Sequence, residues 1–328
     1  MNEPELRQDI VSSDWILLAK SRAKRPHMEL FPSSPQTFTS KRVCPFENPR
    51  EAGNKIIASY PEENNWFVQV IANKYPAVIT NGTDTCPVPY AVGAYRKAQA
   101  IGFHDVVVTR PHTRSLGEMT AKEGLWVIRA WQDRMRFLKK QPCVDYVILF
   151  HNHGKSAGAS ISHPHSQIIT TPTVPPDVSR SLAGAQRFFK EKKQCVHCII
   201  IAEELREQKR VVYQNDRFLV FTPFASRVNF ELRVMPLAHE THFEDTTPSD
   251  QLLFVEALLK TLSALHKKAN NPSYNFFIHT TPPRDKSGIY HWHLEILPKT
   301  TTWAGLELGT GLEAIIVAPE DAAALLRK

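Results

Sequence analysis

The feature that most constrains this chain is an internal repeat. His112 and His163 are 51 residues apart, and His239 and His291 are 52 residues apart. The same landmarks surround each pair in the same order. Each half opens near a Cys-x-x-(Cys/Glu), Cys44 with Glu47 and then Cys195 with Cys198, and closes on His-x-His-x-(Gln/Glu) running into a strand. Repeated spacing of this kind marks a duplicated structural unit.

The segments between the landmarks match as well. In the first half, Trp66 to Val78 alternates as a strand and then turns, and VVVTRP (Val106 to Pro111) is a second strand. Thr120 and Glu123 form a capping box ahead of a helix whose apolar residues Leu125, Ile128, Trp131, Met135 and Leu138 recur at three- and four-residue spacing. YVILF (Tyr146 to Phe150) is a buried strand, and a Gly/Ser/Ala-rich loop leads to His163-Pro164-His165-Ser166-Gln167. In the second half RFLVFTPFA and ELRVMP are strands, and Thr247-Pro248 starts a helix with Val255, Leu258, Leu262 and Leu265 on its apolar face. NFFIHT follows as a strand, and a Pro-rich loop leads to His291-Trp292-His293-Leu294-Glu295. Strands, one helix and more strands in each copy predict an α+β fold of two tandem halves, each a mostly antiparallel sheet with a packed helix. The boundary is expected in the polar, Pro-containing stretch near residues 180–193, giving an N-terminal half over 1–185 and a C-terminal half over 186–328.

Length agrees with this division, since 328 residues suit two domains. With 42% hydrophobic and 22% charged residues the chain is neither disordered nor fibrous. No apolar run approaches the roughly 18–20 residues that span a bilayer. The N-terminus has no basic region followed by an apolar stretch, so a secretory signal is not expected and the expected compartment is the cytoplasm. A net charge of +7 favours anions, and nucleotides, sugar phosphates and nucleic acid all fit. No RGG repeat, basic tail or lysine-rich block singles out nucleic acid. Five cysteines without an export signal make a disulfide framework unexpected, and Cys86 and Cys143 carry no visible role.

Chemistry concentrates at His163-x-His165-x-Gln167. Alternate residues of a strand face the same way, so these three side chains share one face. Neutral imidazole has an ordinary pKa near 6.5 and is a competent nucleophile at neutral pH. Gln167 can donate to a phosphoryl oxygen without supplying a proton. The small residues of Asn152-His153-Gly154-Lys155-Ser156-Ala157-Gly158-Ala159-Ser160 let backbone N–H groups approach a phosphate, and Ser160 adds a hydroxyl. Together these features point to phosphoryl transfer. In the second half, Cys195, Cys198, His239 and His291 make a tetrahedral S2N2 set suited to structural zinc. His242 and His293 are nearby alternatives, but the repeat register selects His239 and His291. The same register places Cys44, Glu47, His112 and His163 together in the first half. Either zinc or hydrogen bonds among Glu47, His112 and His163 would hold His163 there.

The segment from Asn152 to Gln167 resembles the active-site segment of the galactose-1-phosphate uridylyltransferase family, the transferase branch of the histidine-triad superfamily. Arg22 to Pro26, Cys44-Pro45-Phe46 and Asn73-Lys74-Tyr75-Pro76 resemble three further landmarks of that family, so the likeness covers nearly the whole chain. It implies that His165 attacks the α-phosphorus of a nucleoside diphosphate sugar, that a sugar 1-phosphate leaves, and that a second phosphorylated acceptor collects the nucleotide. It implies that the main-chain carbonyl of His163 fixes the His165 tautomer, and that Ser160 and Gln167 bind phosphoryl oxygens. Asn73, Asn152 and Gly158 match nucleotide-contacting positions. Arg22 and Arg25 match basic residues that reach a neighbouring subunit's nucleotide, which implies a homodimer. Lys299 is a candidate for the acceptor phosphate, and Glu307 matches a hexose-recognising residue.

The chain also departs from the family's best-known members. Those carry a glutamate downstream of the nucleophile that joins three second-half histidines on iron, and here the position is Ser181. With the Cys195/Cys198 pair instead, the chain resembles a zinc-type subgroup that includes ADP-glucose phosphorylase-like proteins. The expected partners are therefore a sugar nucleotide and either a sugar 1-phosphate or phosphate, with no nucleic acid and no membrane. In the second half Glu295 stands where Gln167 stands in the first, and a carboxylate there repels a phosphate. That half is expected to be catalytically silent.

Overall fold

The computed structural model describes residues 3–25, 38–80 and 85–327. Pro26 of the N-terminal basic motif lies outside them. The first half contributes β1 (Glu5–Gln8), β2 (Trp15–Leu18), β3 (Ile56–Tyr60), β4 (Val68–Ala72), the exposed hairpin β5 (Tyr90–Val92) and β6 (Tyr95–Lys97), β7 (His104–Thr109), α1 (Ala121–Leu138), β8 (Tyr146–His153) and β9 (His165–Thr171). Two helices follow, α2 (Pro176–Lys192) and α3 (Val196–Glu207). The second half contributes β10 (Val211–Gln214), β11 (Phe218–Phe221), β12 (Leu232–Pro236), α4 (Pro248–Lys268), β13 (Tyr274–His279), β14 (His293–Pro298), α5 (Gly305–Thr310), β15 (Glu313–Ile315) and α6 (Pro319–Arg327).

The duplication is explicit in the main sheet. Its ten strands run β10-β11-β12-β14-β13-β8-β9-β7-β4-β3, every neighbouring pair antiparallel. Read outward from the centre, β8-β9-β7-β4-β3 repeats as β13-β14-β12-β11-β10. The α+β expectation of two like halves is met, and the halves are fused through the β8–β13 pair into one sheet.

Local sequence explains the helices. Thr120 accepts from the Glu123 backbone N–H, and the Glu123 carboxylate accepts in return from the Thr120 N–H, so two otherwise orphaned donors are satisfied at the start of α1. Thr247 caps α4 in the same way through the Asp250 N–H, with Pro248 at the first helical position. Val127, Trp131 and Leu138 of α1 and Val255, Leu258 and Leu265 of α4 join one buried core with Val107, Leu149 and Ile168 on the sheet and with Leu294 and Ile296 of β14. Burial of each large apolar side chain is worth about 1.5–3 kcal/mol. Both helices thus cover the same face of the sheet. The opposite face of the first half holds a smaller cluster of Cys44, Phe46, Ile71, Val106 and Val108.

Two details add to the sequence reading. The stretch expected to hold the boundary is helical through Lys192, and the position between residues 185 and 186 falls inside α2. Pro176 sits at the first helical turn, where a missing N–H costs nothing. Val178, Leu182 and Ala185 then carry the helical spacing, with Val178, Gly184 and Ala185 buried. The second is a change of expectation: Cys86 and Cys143 are joined as a disulfide. They are 57 residues apart with no shared motif, so only the folded topology brings them together.

The seam between the halves is lined with rings. Across β8–β13, His151 opposes Phe276 with centroids 4.8 Å apart, and His153 opposes Tyr274 at 4.6 Å. Burial holds His151 neutral and lowers the His153 pKa to about 4. The unfolded chain takes up a proton on His153 near pH 6.5, and the folded chain does so only near 4. Stability present above pH 6.5 therefore drains as pH falls through that window, by about 3 kcal/mol from His153. Thermal melts from pH 7 to pH 4 should show the loss, and His153→Gln should flatten it. An unchanged slope in that variant would show that the drain lies elsewhere.

Candidate active site

The site lies on the face of the first half-sheet opposite α1. On β9, Ile168 points into the core beneath α1, so His165 and Gln167 point the other way. Pairing with β7 sets Val108 opposite His165 and Val106 opposite Gln167. The Phe46 ring meets His165 edge-on at a centroid distance of 5.1 Å.

His165 is 8% exposed. Its Nδ1 donates to the main-chain carbonyl of His163 at 2.8 Å, which leaves the Nε2 lone pair free. Burial lowers the His165 pKa, partly opposed by that backbone bond, so the ring is neutral at pH 7. The loop before β9 turns through Gly154 and Gly158, at φ +81° and +86°. A Cβ on Gly154 would lie 2.2 Å from the Ser273 hydroxyl, so only glycine fits. Asn152, Ser160 and His163 line a cavity of about 530 Å³ at this loop. Asn152 accepts from Asn275 Nδ2 at 2.8 Å, and Ser160 is exposed. On the other side of β9, past β7, Asn73 and His104 line a hollow of about 890 Å³ with Ile56 and Val78. Both volumes suit a nucleotide-sized ligand.

Sequence reasoning passed over His104. Its Nε2 lies 2.8 Å from Gln167 Oε1 and 3.0 Å from Asn73 Nδ2. A polar residue two positions before Val106, on the same strand face, was the available signal.

Two groups of ligand-type side chains occupy equivalent places in the halves. In the second half Cys195, Cys198, His239 and His291 bring their ligand atoms within 4.8 Å of one another. Cys198 Sγ is 3.5 Å from His239 Nδ1 and 3.6 Å from His291 Nδ1. His239 Nε2 donates to the Gly288 carbonyl and His291 Nε2 to that of Pro236, at 2.9 and 3.0 Å. With those protons on Nε2, both Nδ1 lone pairs face the thiols. The Cys195 thiol is pulled far below its usual range by Cys198 and the two imidazoles. His242 binds Thr241 instead.

In the first half Cys44, His112 and His163 converge in the same way. His112 Nε2 donates to the Thr39 carbonyl and His163 Nε2 to that of Thr109, both at 2.6 Å. The two Nδ1 atoms are 3.3 Å apart, Glu47 Oε1 is 2.5 Å from that of His112, and Cys44 Sγ is 3.6 Å from that of His163. Glu47 Oε1 is buried without a hydrogen-bond donor. Two lone-pair nitrogens and a carboxylate oxygen meeting with no proton between them repel one another unless a cation sits among them. Both donor sets fit zinc.

A third group, His279, His293 and Glu295, does not fit a metal. Arg227 and Arg233 approach the two Glu295 oxygens at 2.5 and 3.1 Å, and two guanidinium charges oppose a cation. Ser181 bonds the Tyr290 hydroxyl at 3.0 Å. His293 repeats the His165 geometry, with Nδ1 donating to the His291 carbonyl at 3.1 Å. The cavity beside it, however, is only about 70 Å³.

The remaining sequence candidates are Arg22, Arg25, Lys299 and Glu307. Arg22 and Arg25 are exposed on and just after a short 3-10 helix, Lys20–Lys24. Lys299 is half-buried, with Nζ 6.0 Å from the Trp303 ring. Glu307 accepts from the Ala304 N–H and caps α5.

The model of the galactose-1-phosphate uridyl transferase N-terminal domain matches residues 2–175, and the model described as scavenger mRNA decapping enzyme C-term binding matches 194–307. An ADP-glucose phosphorylase of Arabidopsis thaliana is 32% identical over 99% of this chain and 93% of its own length. A galactose-1-phosphate uridylyltransferase of Thermotoga maritima is 29% identical over 99% of this chain and 98% of its own. The crystal structure of an Arabidopsis thaliana ADP-glucose phosphorylase with bound ADP-glucose superposes with a TM-score of 0.85 at 30% identity, covering 99% of both chains. With one family model matched across residues 2–175 and its members matched end to end, the protein belongs to the galactose-1-phosphate uridylyltransferase family and is a nucleotidyltransferase.

Proposed function

We propose that His165 Nε2 attacks the α-phosphorus of a nucleoside diphosphate sugar. The bond to the bridging oxygen breaks, sugar 1-phosphate departs with that electron pair, and a nucleotidyl-His165 remains. A phosphate oxygen of the acceptor then displaces His165 and carries off the nucleotide. One observation carries this reading: His165 is buried and neutral, with Nδ1 committed to the His163 carbonyl and Nε2 left open. Gln167 and Ser160 supply donors to the phosphoryl oxygens, and such donors lower the barrier where charge develops. Asn73, Asn152 and the Gly158 turn hold the nucleotide. Lys299 and Glu307 serve the sugar and acceptor side, and a homodimer lets the exposed Arg22 and Arg25 reach a neighbouring nucleotide.

The acceptor distinguishes two members of this chemistry. A hexose 1-phosphate makes the protein a uridylyltransferase, and inorganic phosphate makes it a sugar-nucleotide phosphorylase. Likeness over the full length to an ADP-glucose phosphorylase, at 32% identity, favours testing the second on equal terms. The second half is catalytically silent, because Glu295 and a 70 Å³ cavity exclude a nucleotide, which needs several hundred Å³.

Intact-mass spectrometry after mixing with UDP-glucose or ADP-glucose should show a covalent nucleotidyl adduct. His165→Gly should abolish it, and Gln167→Ala should slow its formation about 100-fold. An adduct retained in His165→Gly would move the nucleophile elsewhere. Discharge by phosphate alone would identify a phosphorylase, and discharge by galactose 1-phosphate a uridylyltransferase.

We further propose that both Cys/His groups hold zinc. When bound there, zinc supplies a fixed charge that anchors His163 and, through its carbonyl, the His165 ring. Elemental analysis should find two zinc ions per chain. Cys198→Ser should remove one and lower the melting temperature, since metal binding is linked to folding. Glu47→Ala should remove the other. Full zinc content in Glu47→Ala would show that Glu47 is not a ligand, and a single zinc in the wild type would show that hydrogen bonds alone organise the first-half group.

A further inference from the structure

His104 sits where three adjacent strands deliver polar side chains to one point. Gln167 comes from β9, His104 opens β7, and Asn73 follows β4. The protonation of this trio follows from one fixed donor. The main-chain N–H of Ala77 lies 3.0 Å from His104 Nδ1. A backbone amide can only donate, so Nδ1 carries the lone pair and the proton of the neutral ring is on Nε2. That proton points at Gln167 Oε1, 2.8 Å away. The reverse amide orientation would set the Gln167 –NH2 against an N–H, two donors face to face. The carboxamide oxygen is therefore held toward β7, and the –NH2 is left for a ligand.

Asn73 is oriented by a second backbone donor. The Tyr75 N–H donates to Asn73 Oδ1 at 2.9 Å, which turns the Asn73 –NH2 toward His104. Its nitrogen is 3.0 Å from the protonated Nε2, a donor–donor contact that an acceptor oxygen between the two would relieve, and it leaves Gln167 Oε1 as the acceptor for that N–H. The result is two carboxamide –NH2 groups beside one imidazole N–H, with no acceptor among the described residues beyond Gln167 Oε1. Such a cluster of donors matches phosphoryl oxygens.

We propose that His104 is a positioning residue for nucleotidyl transfer: as the Nε2–H tautomer set by the Ala77 amide, it holds the Gln167 carboxamide with its –NH2 facing the phosphoryl group attacked by His165. The inference rests on the nucleotidyl-transfer reading above. Groups that orient a site residue in this way are worth about 10–100-fold in activity.

The test is a double-mutant cycle on the rate of adduct formation with UDP-glucose and ADP-glucose, read by rapid-quench mass spectrometry. His104→Leu should slow labelling about 10–100-fold at saturating sugar nucleotide. His104→Gln, whose side-chain amide can still donate to Gln167 Oε1, should recover most of that loss. In a Gln167→Ala background, His104→Leu should add little, because the group it positions is gone. Additive losses, or equal losses in the Leu and Gln variants, would overturn the inference and leave nucleotidyl transfer standing, since the wild type is labelled. No adduct in the wild type with either sugar nucleotide would instead bring down the nucleotidyl-transfer reading, and this one with it.

Discussion

The β8–β13 pairing is the constraint on which the rest of the molecule depends. It fuses two five-stranded units edge to edge, so strands that would otherwise be open edges are satisfied by each other. It also forces α1 and α4 onto the same face, where they pack on one another as well as on the sheet. The opposite face is then left to chemistry. Strand periodicity turns every second residue of β9 and β14 toward that face, and the half-site residues His165, Gln167, His293 and Glu295 occupy those positions.

Backbone carbonyls do the fine positioning. His112, His163, His239 and His291 each donate Nε2–H to a main-chain oxygen, and His165 and His293 each donate Nδ1–H to one. The first four therefore present Nδ1 to their Cys/His groups; His165 keeps Nε2 open, whereas His293 turns its Nε2 to Glu295 Oε1 at 3.4 Å. A carbonyl cannot change its role as a side chain can, so the tautomers are set by the fold itself. This couples the two kinds of site, because His163 contributes a ring to one and a carbonyl to the other.

Much of this was legible in the chain because it is written in spacing. Equal separations between histidines disclosed the duplication, alternation placed His165 and Gln167 together, and Thr120 with Glu123 announced α1. The capped helices and paired strands are local features with local signals. What stayed hidden depends on contacts between distant segments. Cys86 meets Cys143 only after α1 has folded back, and His104 matters only because β7 lies beside β9. Glu307 carried a motif-level role, yet its carboxylate caps its own helix, which no motif reveals. The helical state of α2 is also hidden, because proline at a first turn and proline in a loop look alike without the turn that follows.

The two halves show how one residue changes the surroundings of the same imidazole. Both retain the imidazole, its carbonyl partner and a Cys/His group next to it. They differ at the residue two positions on, glutamine in one and glutamate in the other. Around Gln167 the neighbours are donors with hydrogens to spare, and the surroundings are hollow. Around Glu295 two arginines close in, the negative charge is consumed internally, and the space collapses to about 70 Å³. A buried carboxylate is stable only when paired, and here Arg227 and Arg233 both supply that pairing beside a small cavity. Glu295→Gln alone would leave Arg227 and Arg233 without that partner in the same small cavity, so opening that space would require the arginines to change as well.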